Sequence, residues 1–374
     1  MMRKFFYLIL LQLCFMSIAT AQSTIAAFDR NLQFSGYVVS FYNMRFYDPA
    51  DMNHAKNRMN LDFAVFDVQH ANQKGIRSEI QINIPALFST DPSDEFLMQA
   101  TTEWRSRKGD GGIQMGYDKL PFSWASMLPQ NESAFLQRAE CIKGKTFNRR
   151  DLGVTVWKSF FNRRLTATGG VYTGEGINSI TGDNDPNGKF LYAGRVEGSF
   201  PARYRLEEVD LDNTPKPRLL LGACGMYSEK SVTTGTDYPI LTVNGKKIST
   251  GADITASWHG FSLHGEWVNF KIVPNDSLAL LGKPTDYFRA QGVIAQCAYH
   301  IKKMKTTVAL RYDEFNPNDL ILGDSRQTAS IALNYLFDGM DNVLKVHYFY
   351  RMKAQNAIQP WSENQIRIGW QIRF

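Results

Sequence analysis

The chain has 374 residues, a formal net charge of +6, 44% hydrophobic residues and 13% aromatic residues. The positive charge is small and spread along the chain, which argues against a nucleic-acid partner. After residue 21, no apolar run approaches the roughly 20 residues that a spanning helix needs, so a helical membrane protein is excluded. Cys141, Cys224 and Cys297 are an odd, sparse set that does not describe a disulfide framework.

The N terminus has the pattern of a secretory signal. Arg3-Lys4 precedes an apolar stretch over residues 5–18, and Ala19-Thr20-Ala21 places small residues at positions −3 and −1 of a cleavage site. The apolar stretch is shorter than the roughly 20 residues of a spanning helix. We therefore expect residues 1–21 to be a cleaved signal peptide and residues 22–374 to form one folded domain.

Apolar and polar residues then alternate in about sixteen segments, as expected of strands, whose successive side chains point to opposite faces. In residues 58–66, for example, one predicted face carries Met59, Leu61, Phe63 and Val65, and the other face is polar. The predicted strands lie near residues 32–46, 58–69, 75–85, 97–107, 111–118, 150–159, 164–173, 189–200, 217–227, 250–259, 261–271, 286–299, 304–314, 326–337, 342–352 and 362–374.

Long and short connections alternate between these segments. The long ones include 47–57, 86–96, 119–149 and 174–188, and the short ones include 70–74, 108–110 and 160–163. Long outer loops and tight periplasmic turns are typical of a transmembrane barrel, and an even strand number places both termini on the periplasmic side. Residues 201–216 break the alternation, and their charged, proline-flanked sequence predicts an extended periplasmic connection.

The last nine residues have the clearest strand pattern. Ile366, Ile368, Trp370 and Ile372 share one face, which we assign to lipid, and Phe374 falls at the interfacial level. The opposite face carries Arg367 and Arg373, which we assign to a water-filled lumen. The sequence therefore predicts an all-β protein, a transmembrane antiparallel up-and-down β-barrel of about 16 strands.

The most distinctive stretch is residues 111–160. It contains a strand ending in Pro121-Phe122, a loop with Arg138-Ala139, and a strand start Arg150-Asp-Leu-Gly153. With the glycine-rich segment 169–178, this stretch resembles the phosphate-selective porin O/P family. The resemblance implies a homotrimeric, sixteen-stranded outer-membrane porin with a ladder of cationic side chains for anions. It also implies that the long third extracellular loop, residues 119–149 here, folds into the lumen.

Candidate anion-binding residues come from this loop and from the inward strand faces. They are Arg138, Lys143, Lys145, Arg149 and Arg150 in the loop, and Arg77, Arg105, Arg195, Arg311 and Arg367 on strands. Fixed positive charge lowers the barrier that a narrow pore presents to an anion. The same alternation also predicts a lumen-facing Arg58, Arg289 and Arg351.

Inward acids leave a second interpretation open. Glu79, Glu103 and Glu197 lie two residues from an inward arginine, so each such arginine could instead be half of an ion pair that fixes strand register. The loop cations could likewise form a solvated or lipopolysaccharide-facing surface. A lumen of mixed sign suits general small-solute passage as well as anions.

The predicted function is passive diffusion of small hydrophilic solutes, with a preference for anions such as phosphate. The alternatives are a porin for carboxylates or oligosaccharides, and a barrel with a structural or surface-binding role that loop 119–149 plugs. The expected partners are outer-membrane lipid, lipopolysaccharide and small anionic or hydrophilic solutes, in a homotrimer. We expect no cofactor, no metal and no enzyme activity: Ser262 and His264 share a strand face, but no orienting group or oxyanion motif accompanies them.

Overall fold

The computed structural model describes residues 31–46, 57–88, 95–143, 149–180, 188–204, 206–229, 245–352 and 363–374. The predicted signal peptide and Lys145 lie outside these residues. Sixteen antiparallel strands form a closed barrel in which each strand pairs with its sequence neighbours and the first strand pairs with the last. The strands are β1 (Leu32–Phe46), β2 (Arg58–Ala71), β3 (Ile76–Asn83), β4 (Leu97–Arg105), β5 (Gly111–Lys119), β6 (Arg150–Phe160), β7 (Leu165–Tyr172), β8 (Leu191–Phe200), β9 (Arg218–Ser228), β10 (Gly245–Trp258), β11 (Phe261–Pro274), β12 (Phe288–Ile301), β13 (Thr306–Asn316), β14 (Arg326–Asp338), β15 (Asn342–Arg351) and β16 (Glu363–Arg373). The predicted barrel and strand number are confirmed.

Helical structure is confined to short turns between strands. The α-helix α1 spans Trp124–Met127, and 3₁₀ turns span Ile84–Phe88, Gln130–Glu132, Glu140–Ile142, Gly176–Ile180, Ser277–Leu280 and Lys302–Met304. In the part of the chain that the structure describes, no helix has the length and apolar character needed to cross a bilayer.

The outer face of the barrel is apolar. Its middle zone carries exposed aliphatic side chains: Ile80, Ile113, Met115, Val196, Leu221, Ile254, Leu263, Val293, Leu310, Ile331, Leu333 and Ile368. Exposed aromatic rings border this zone at the end with the short turns: Trp104, Phe160, Phe200, Trp258, Phe261, Tyr299, Phe337 and Trp370. At the end with the long loops lie Phe46, Phe190, Tyr192, Tyr312, Tyr348 and Tyr350. An apolar zone between two aromatic girdles is the outer surface of a transmembrane barrel.

A β-bulge corrects the predicted faces of β2. Val39 and Ser40 are consecutive in β1, yet they pair with Phe63 and Leu61, so Asp62 is an extra residue. One extra residue exchanges the two faces of a strand beyond the bulge. Leu61 is accordingly 41% exposed on the outer surface, whereas Val65 is 2% exposed inside the barrel. The prediction of a single face from Met59 to Val65 was wrong.

The inner wall of β11 and β12 corrects a second expectation. Near the long-loop end this wall is apolar, and Phe270 and Phe288 are fully buried there. Because Phe288 points inward, the next residue, Arg289, faces outward and is exposed, so its predicted lumen position was wrong. The apolar patch is covered by the third long loop, whose Phe122 ring lies 5.8 Å from that of Phe270.

The connection between β8 and β9 was also predicted wrongly. Residues 206–211 do not extend away from the barrel but fold into it from the short-turn end. Val209 is buried in a cluster with Phe135 and with inward alanines of β12, β13 and β14. The described residues of this connection, 201–204 and 206–217, are called the inward turn below.

Candidate functional site: the barrel lumen

The third long loop, residues 120–149 between β5 and β6, enters the lumen as the resemblance implied. It is called loop 3 below, and it is described except for residues 144–148. Its first part packs on β11: the Trp124 ring lies 4.2 Å from the His264 ring, and the Ala125 N–H donates to Glu266 Oε2 at 2.9 Å. Trp124 has no exposed surface. These contacts fix the start of loop 3 against the wall.

The deepest part of loop 3 binds β15. His347 Nδ1 accepts a hydrogen bond from the Leu136 N–H at 2.9 Å, and His347 Nε2 donates to the Ala134 carbonyl oxygen at 3.0 Å. Lys345 Nζ donates to the Ser133 carbonyl oxygen at 2.7 Å. Both strand residues are buried, so inward polar groups of β15 serve as anchors for loop backbone rather than as exposed pore lining.

The returning part of loop 3 contacts β13 and β15. The Glu140 N–H donates to Asp313 Oδ2 at 3.3 Å, and the Glu140 carboxylate pairs with Lys143 and with Arg351, whose Nη2 lies 3.5 Å away. Burial by itself would raise the pKa of Glu140, but the two cations outweigh it and lower this pKa to about 2. Glu140 is therefore ionised at neutral pH and holds this part of the loop.

The inward turn meets loop 3 from the opposite end of the barrel. Glu208 Oε2 accepts hydrogen bonds from the Ala134 N–H at 2.6 Å and from the Ser133 hydroxyl at 3.0 Å. Asp210 is held by the wall, because its N–H donates to Ser262 Oγ at 2.8 Å and its carboxylate accepts from the Gly260 N–H at 2.9 Å. Two segments from opposite ends of the barrel thus join inside it.

These segments cover one side of the lumen and leave the other accessible. Inward polar residues of β10–β15 are buried: Ser249, Asp253, Thr255, His264, Glu266, Gln296, Thr307, Arg311, Asp313, Asn334, Lys345 and His347. Inward polar residues of β2, β3, β5 and β16 remain partly exposed: Gln69, Arg77, Glu79, Gln81, Gln114 and Arg367. These partly exposed polar side chains therefore lie on β2, β3, β5 and β16.

Four of the predicted strand arginines form ion pairs. The pairs are Arg77–Glu79 at 3.0 Å, Arg105–Glu103 at 2.7 Å, Arg195–Asp253 at 2.6 Å and Arg311–Asp313 at 3.3 Å. Arg195 also binds the second oxygen of Asp253 at 2.9 Å, and both side chains are buried. This buried bidentate pair cancels most of the field of Arg195. Arg77, Arg105 and Arg311 each have one carboxylate at ion-pairing distance, so the ion-pair interpretation describes all four residues.

Three of the predicted loop cations also have protein partners. Arg138 donates to the carbonyl oxygens of Ala125 and Leu128 at 2.7 and 2.8 Å, which closes loop 3 on itself. Lys143 pairs with Glu140. Arg150 pairs with Glu95 at 2.5 Å, and only 3% of its surface is exposed. These cations stabilise the fold of the loop.

Arg149 and Arg367 differ from the ion-paired cations, and also from Arg138, whose guanidinium is held by two carbonyl oxygens of its own loop. Within the described residues, neither has a carboxylate at ion-pairing distance. Arg367 Nη2 donates to Gln365 Oε1 at 3.3 Å, and its guanidinium lies over the rings of Phe41 at 4.7 Å and Phe349 at 5.3 Å. Burial, together with the charge of Arg150, lowers the pKa of Arg149 to about 10, so it remains cationic at neutral pH.

The sequence interpretation missed Lys345, His347 and Glu208 as residues that position loop 3. Lys345 and His347 alternate with apolar neighbours, so the sequence predicts that they point inward. It does not predict which loop groups they bind. Ser262 and His264 do share a face, with separate partners: Ser262 accepts from the Asp210 N–H, and His264 contacts Thr255 and Glu266. No group of three His, Cys, Asp or Glu side chains within the described ranges could hold a metal ion.

Comparison with known proteins gives the fold. No family model matches the sequence, and no curated protein matches it. OprB of Pseudomonas putida superposes with a TM-score of 0.65 at 10% identity, covering 94% of this chain and 96% of that chain. An anion-selective porin from Comamonas acidovorans gives 0.56 at 12% identity, covering 92% and 99%. The trimer form of OmpT, an outer membrane protein of Vibrio cholerae, gives 0.57 at 9% identity, with the same coverage. The chain has the porin fold.

Proposed function

We propose that this protein is an outer-membrane porin, a passive channel for small hydrophilic solutes that favours anions. The observation that carries the anion preference is the pair Arg149 and Arg367. Among the described residues neither has a carboxylate partner, and neither is tied to loop carbonyl oxygens as Arg138 is. Arg367 lies on the accessible side of the lumen, where its charge acts on a passing solute. The fold, shared with solved porins, supports the channel itself.

The arginines of the lumen differ in how far nearby carboxylates compensate their charge. An anion that enters a narrow pore loses hydration, and a fixed cation near its path offsets that loss. A paired arginine contributes little, because its carboxylate cancels its field at a distance of a few ångströms. Two uncompensated arginines leave the accessible wall positive, while no single site holds an anion tightly enough to stop its release.

The test is ion selectivity in planar bilayers. Purified protein in a KCl gradient should give stable conductance with a reversal potential on the chloride side. Arg149→Gln and Arg367→Gln, singly and together, should move that potential toward potassium. Arg289→Gln removes one arginine charge from the outer surface and serves as the control for each single variant, so it should leave the potential unchanged. A cation-selective wild type, or a shift in Arg289→Gln equal to those of the single variants, contradicts the anion proposal.

Several finer assignments belong to the same proposal. Phosphate is the anion that the resemblance to the O/P family suggests. Comparing how strongly phosphate, carboxylates and oligosaccharides block the single-channel current separates these solutes. We place the short turns and both termini on the periplasmic side, assign residues 1–21 to a cleaved signal, and propose a homotrimer in contact with lipopolysaccharide. Crosslinking in isolated outer membranes and N-terminal sequencing of the mature protein test the assembly and the cleavage.

A second function is favoured by the joining of loop 3 and the inward turn inside the barrel. If together they close the lumen, the protein has a structural or surface-binding role and conducts nothing. The wild type would then show negligible conductance, and removal of the Glu208 carboxylate or shortening of loop 3 would open the pore. Stable wild-type conductance rejects this alternative.

A further inference from the structure

Three neighbouring turns at the short-turn end form one continuous surface. They are residues 72–75, 106–110 and 161–164, which connect β2–β3, β4–β5 and β6–β7. The Arg105 N–H donates to the Gly75 carbonyl oxygen at 2.9 Å, which joins the first turn to the second. Arg163 Nη2 donates to the Lys108 carbonyl oxygen at 2.9 Å, which joins the second turn to the third. The side chains of these turns are therefore presented together.

This surface is strongly basic. It carries six cationic side chains, all exposed, which we call the basic turn patch: Lys74, Arg107, Lys108, Lys158, Arg163 and Arg164. The one acid in the three turns is Asp110, and it pairs with Lys158 at 2.8 Å. Within the described residues, the other five cations have no carboxylate at ion-pairing distance. Five like charges repel one another unless an anionic partner compensates them.

Aromatic rings place this patch at the membrane surface. Trp104 and Phe160 belong to the aromatic girdle at the short-turn end, and they are 51% and 44% exposed. Such rings lie at the level of lipid headgroups. The turns 106–110 and 161–164 begin within two residues of these rings, and the turn 72–75 ends beside Ile76, which pairs with Trp104. The cations of all three turns therefore extend to the depth at which lipid phosphates lie.

Phe161 adds an observation that charge alone does not explain. Its ring is 76% exposed, and its backbone has a φ of 51°. Asn162 and Arg163 follow with φ of 55° and 64°. A bulky residue in the left-handed region is an outlier. Exposing a phenylalanine to water is also unfavourable, and insertion into the lipid interface removes that exposure.

We propose that the basic turn patch binds the phosphate headgroups of anionic phospholipids in the leaflet at the short-turn end, with Phe161 inserted beside them. Arginine and lysine near an anionic leaflet each strengthen binding about fivefold. The exposed phenylalanine favours a lipid over an anionic cell-wall polymer, which offers no apolar phase to receive the ring. The proposal needs only that the barrel spans a bilayer, and it is independent of what passes through the lumen.

The test uses the full chain in a neutral detergent with phosphatidylglycerol or phosphatidylcholine of equal chain length. Native mass spectrometry counts the lipids that remain bound. Wild type should retain phosphatidylglycerol in preference to phosphatidylcholine. The Arg107→Glu/Arg164→Glu variant alters side chains without a described side-chain contact, and it should lose this preference by tenfold or more. The Lys302→Glu/Lys303→Glu variant makes the same charge change in another turn at the same end, and it should keep the preference.

Phe161→Asn tests the apolar half of the site. Asparagine tolerates the left-handed backbone conformation at this position. A loss of bound phosphatidylglycerol in Phe161→Asn therefore reports on the missing ring and not on misfolding. Excess inorganic phosphate should not displace the lipid. Four outcomes overturn the proposal: equal retention of the two lipids, equal losses in both double variants, displacement by inorganic phosphate, or binding to isolated cell-wall polymer without lipid binding. Conductance of the same proteins in bilayers is recorded separately, so failure here leaves the channel proposal intact.

Discussion

The Leu136 N–H donates to His347 Nδ1 at 2.9 Å, and this bond fixes the tautomer of a buried imidazole. An amide nitrogen can only donate, so Nδ1 accepts and the proton is on Nε2, which donates to the Ala134 carbonyl oxygen. Only the neutral imidazole supplies both an acceptor and a donor here. β15 thus holds loop 3 by two hydrogen bonds of His347: Nδ1 accepts one from the loop, and Nε2 donates the other.

Replacement of His347 should therefore free loop 3. His347→Ala leaves the buried Leu136 N–H without its partner, which costs about 1–3 kcal/mol. The Ala134 carbonyl oxygen keeps only its hydrogen bond from Asn334 Nδ2. We expect a lower unfolding temperature and noisier single-channel current. The half-buried His70, at the short-turn end of β2, gives the control variant His70→Ala, which should leave the current noise unchanged. Quiet current in His347→Ala would show that other contacts suffice to hold loop 3.

Glu208 should fasten the inward turn to loop 3. Glu208→Ala removes the acceptor of the Ala134 N–H and the Ser133 hydroxyl, and each hydrogen bond to a charged group contributes about 1.5–3 kcal/mol. Hydrogen exchange at Ala134 should become faster. Glu208→Gln keeps one acceptor oxygen and should restore part of the protection. Unchanged exchange in Glu208→Ala would mean that the two segments are held independently.

The ion pairs of Glu140 predict a pH dependence. Its folded-state pKa of about 2 lies below its usual value of 4.5, so its contribution to stability is complete above pH 4.5 and is lost as the pH falls toward 2. At neutral pH this contribution is on the order of 3 kcal/mol. Glu140→Gln should unfold at a lower temperature than wild type at pH 7, and the difference should shrink by pH 3. A difference that is constant with pH would assign the effect to packing.

Gly292 should be required for the seating of loop 3. A Cβ added there would overlap Cys141 Cβ, which lies close to the loop backbone and cannot swing aside. Gly292→Ala should therefore displace the returning part of loop 3, at a cost of about 1–3 kcal/mol. Chemical labelling of Cys141, buried in the wild type, reports that displacement. Gly169→Ala, where the nearest atom is 3.8 Å from the new Cβ, should leave Cys141 protected.

Alternation along the sequence determined the barrel. A strand repeats every two residues, so Ile368 and Trp370 could be assigned to the outer face and Arg367 to the inner face without knowledge of their neighbours. The count of alternating segments gave the even strand number, and the connection lengths distinguished the two ends. Both signals are local, and the structure confirms the sixteen strands they predicted.

Only the tertiary structure decided what fills the barrel and which charges remain uncompensated. Asp62 forms its bulge through pairing with β1, so no pattern within β2 announced the exchange of faces. Glu208 meets Ala134 across 74 residues, and Lys345 meets Ser133 across 212. Whether an inward arginine attracts a solute or only pairs with a carboxylate depends on such long-range contacts. The sequence could nominate Arg195 and Arg367 alike, because the buried carboxylate that distinguishes them, Asp253, lies 58 residues from Arg195 on another strand.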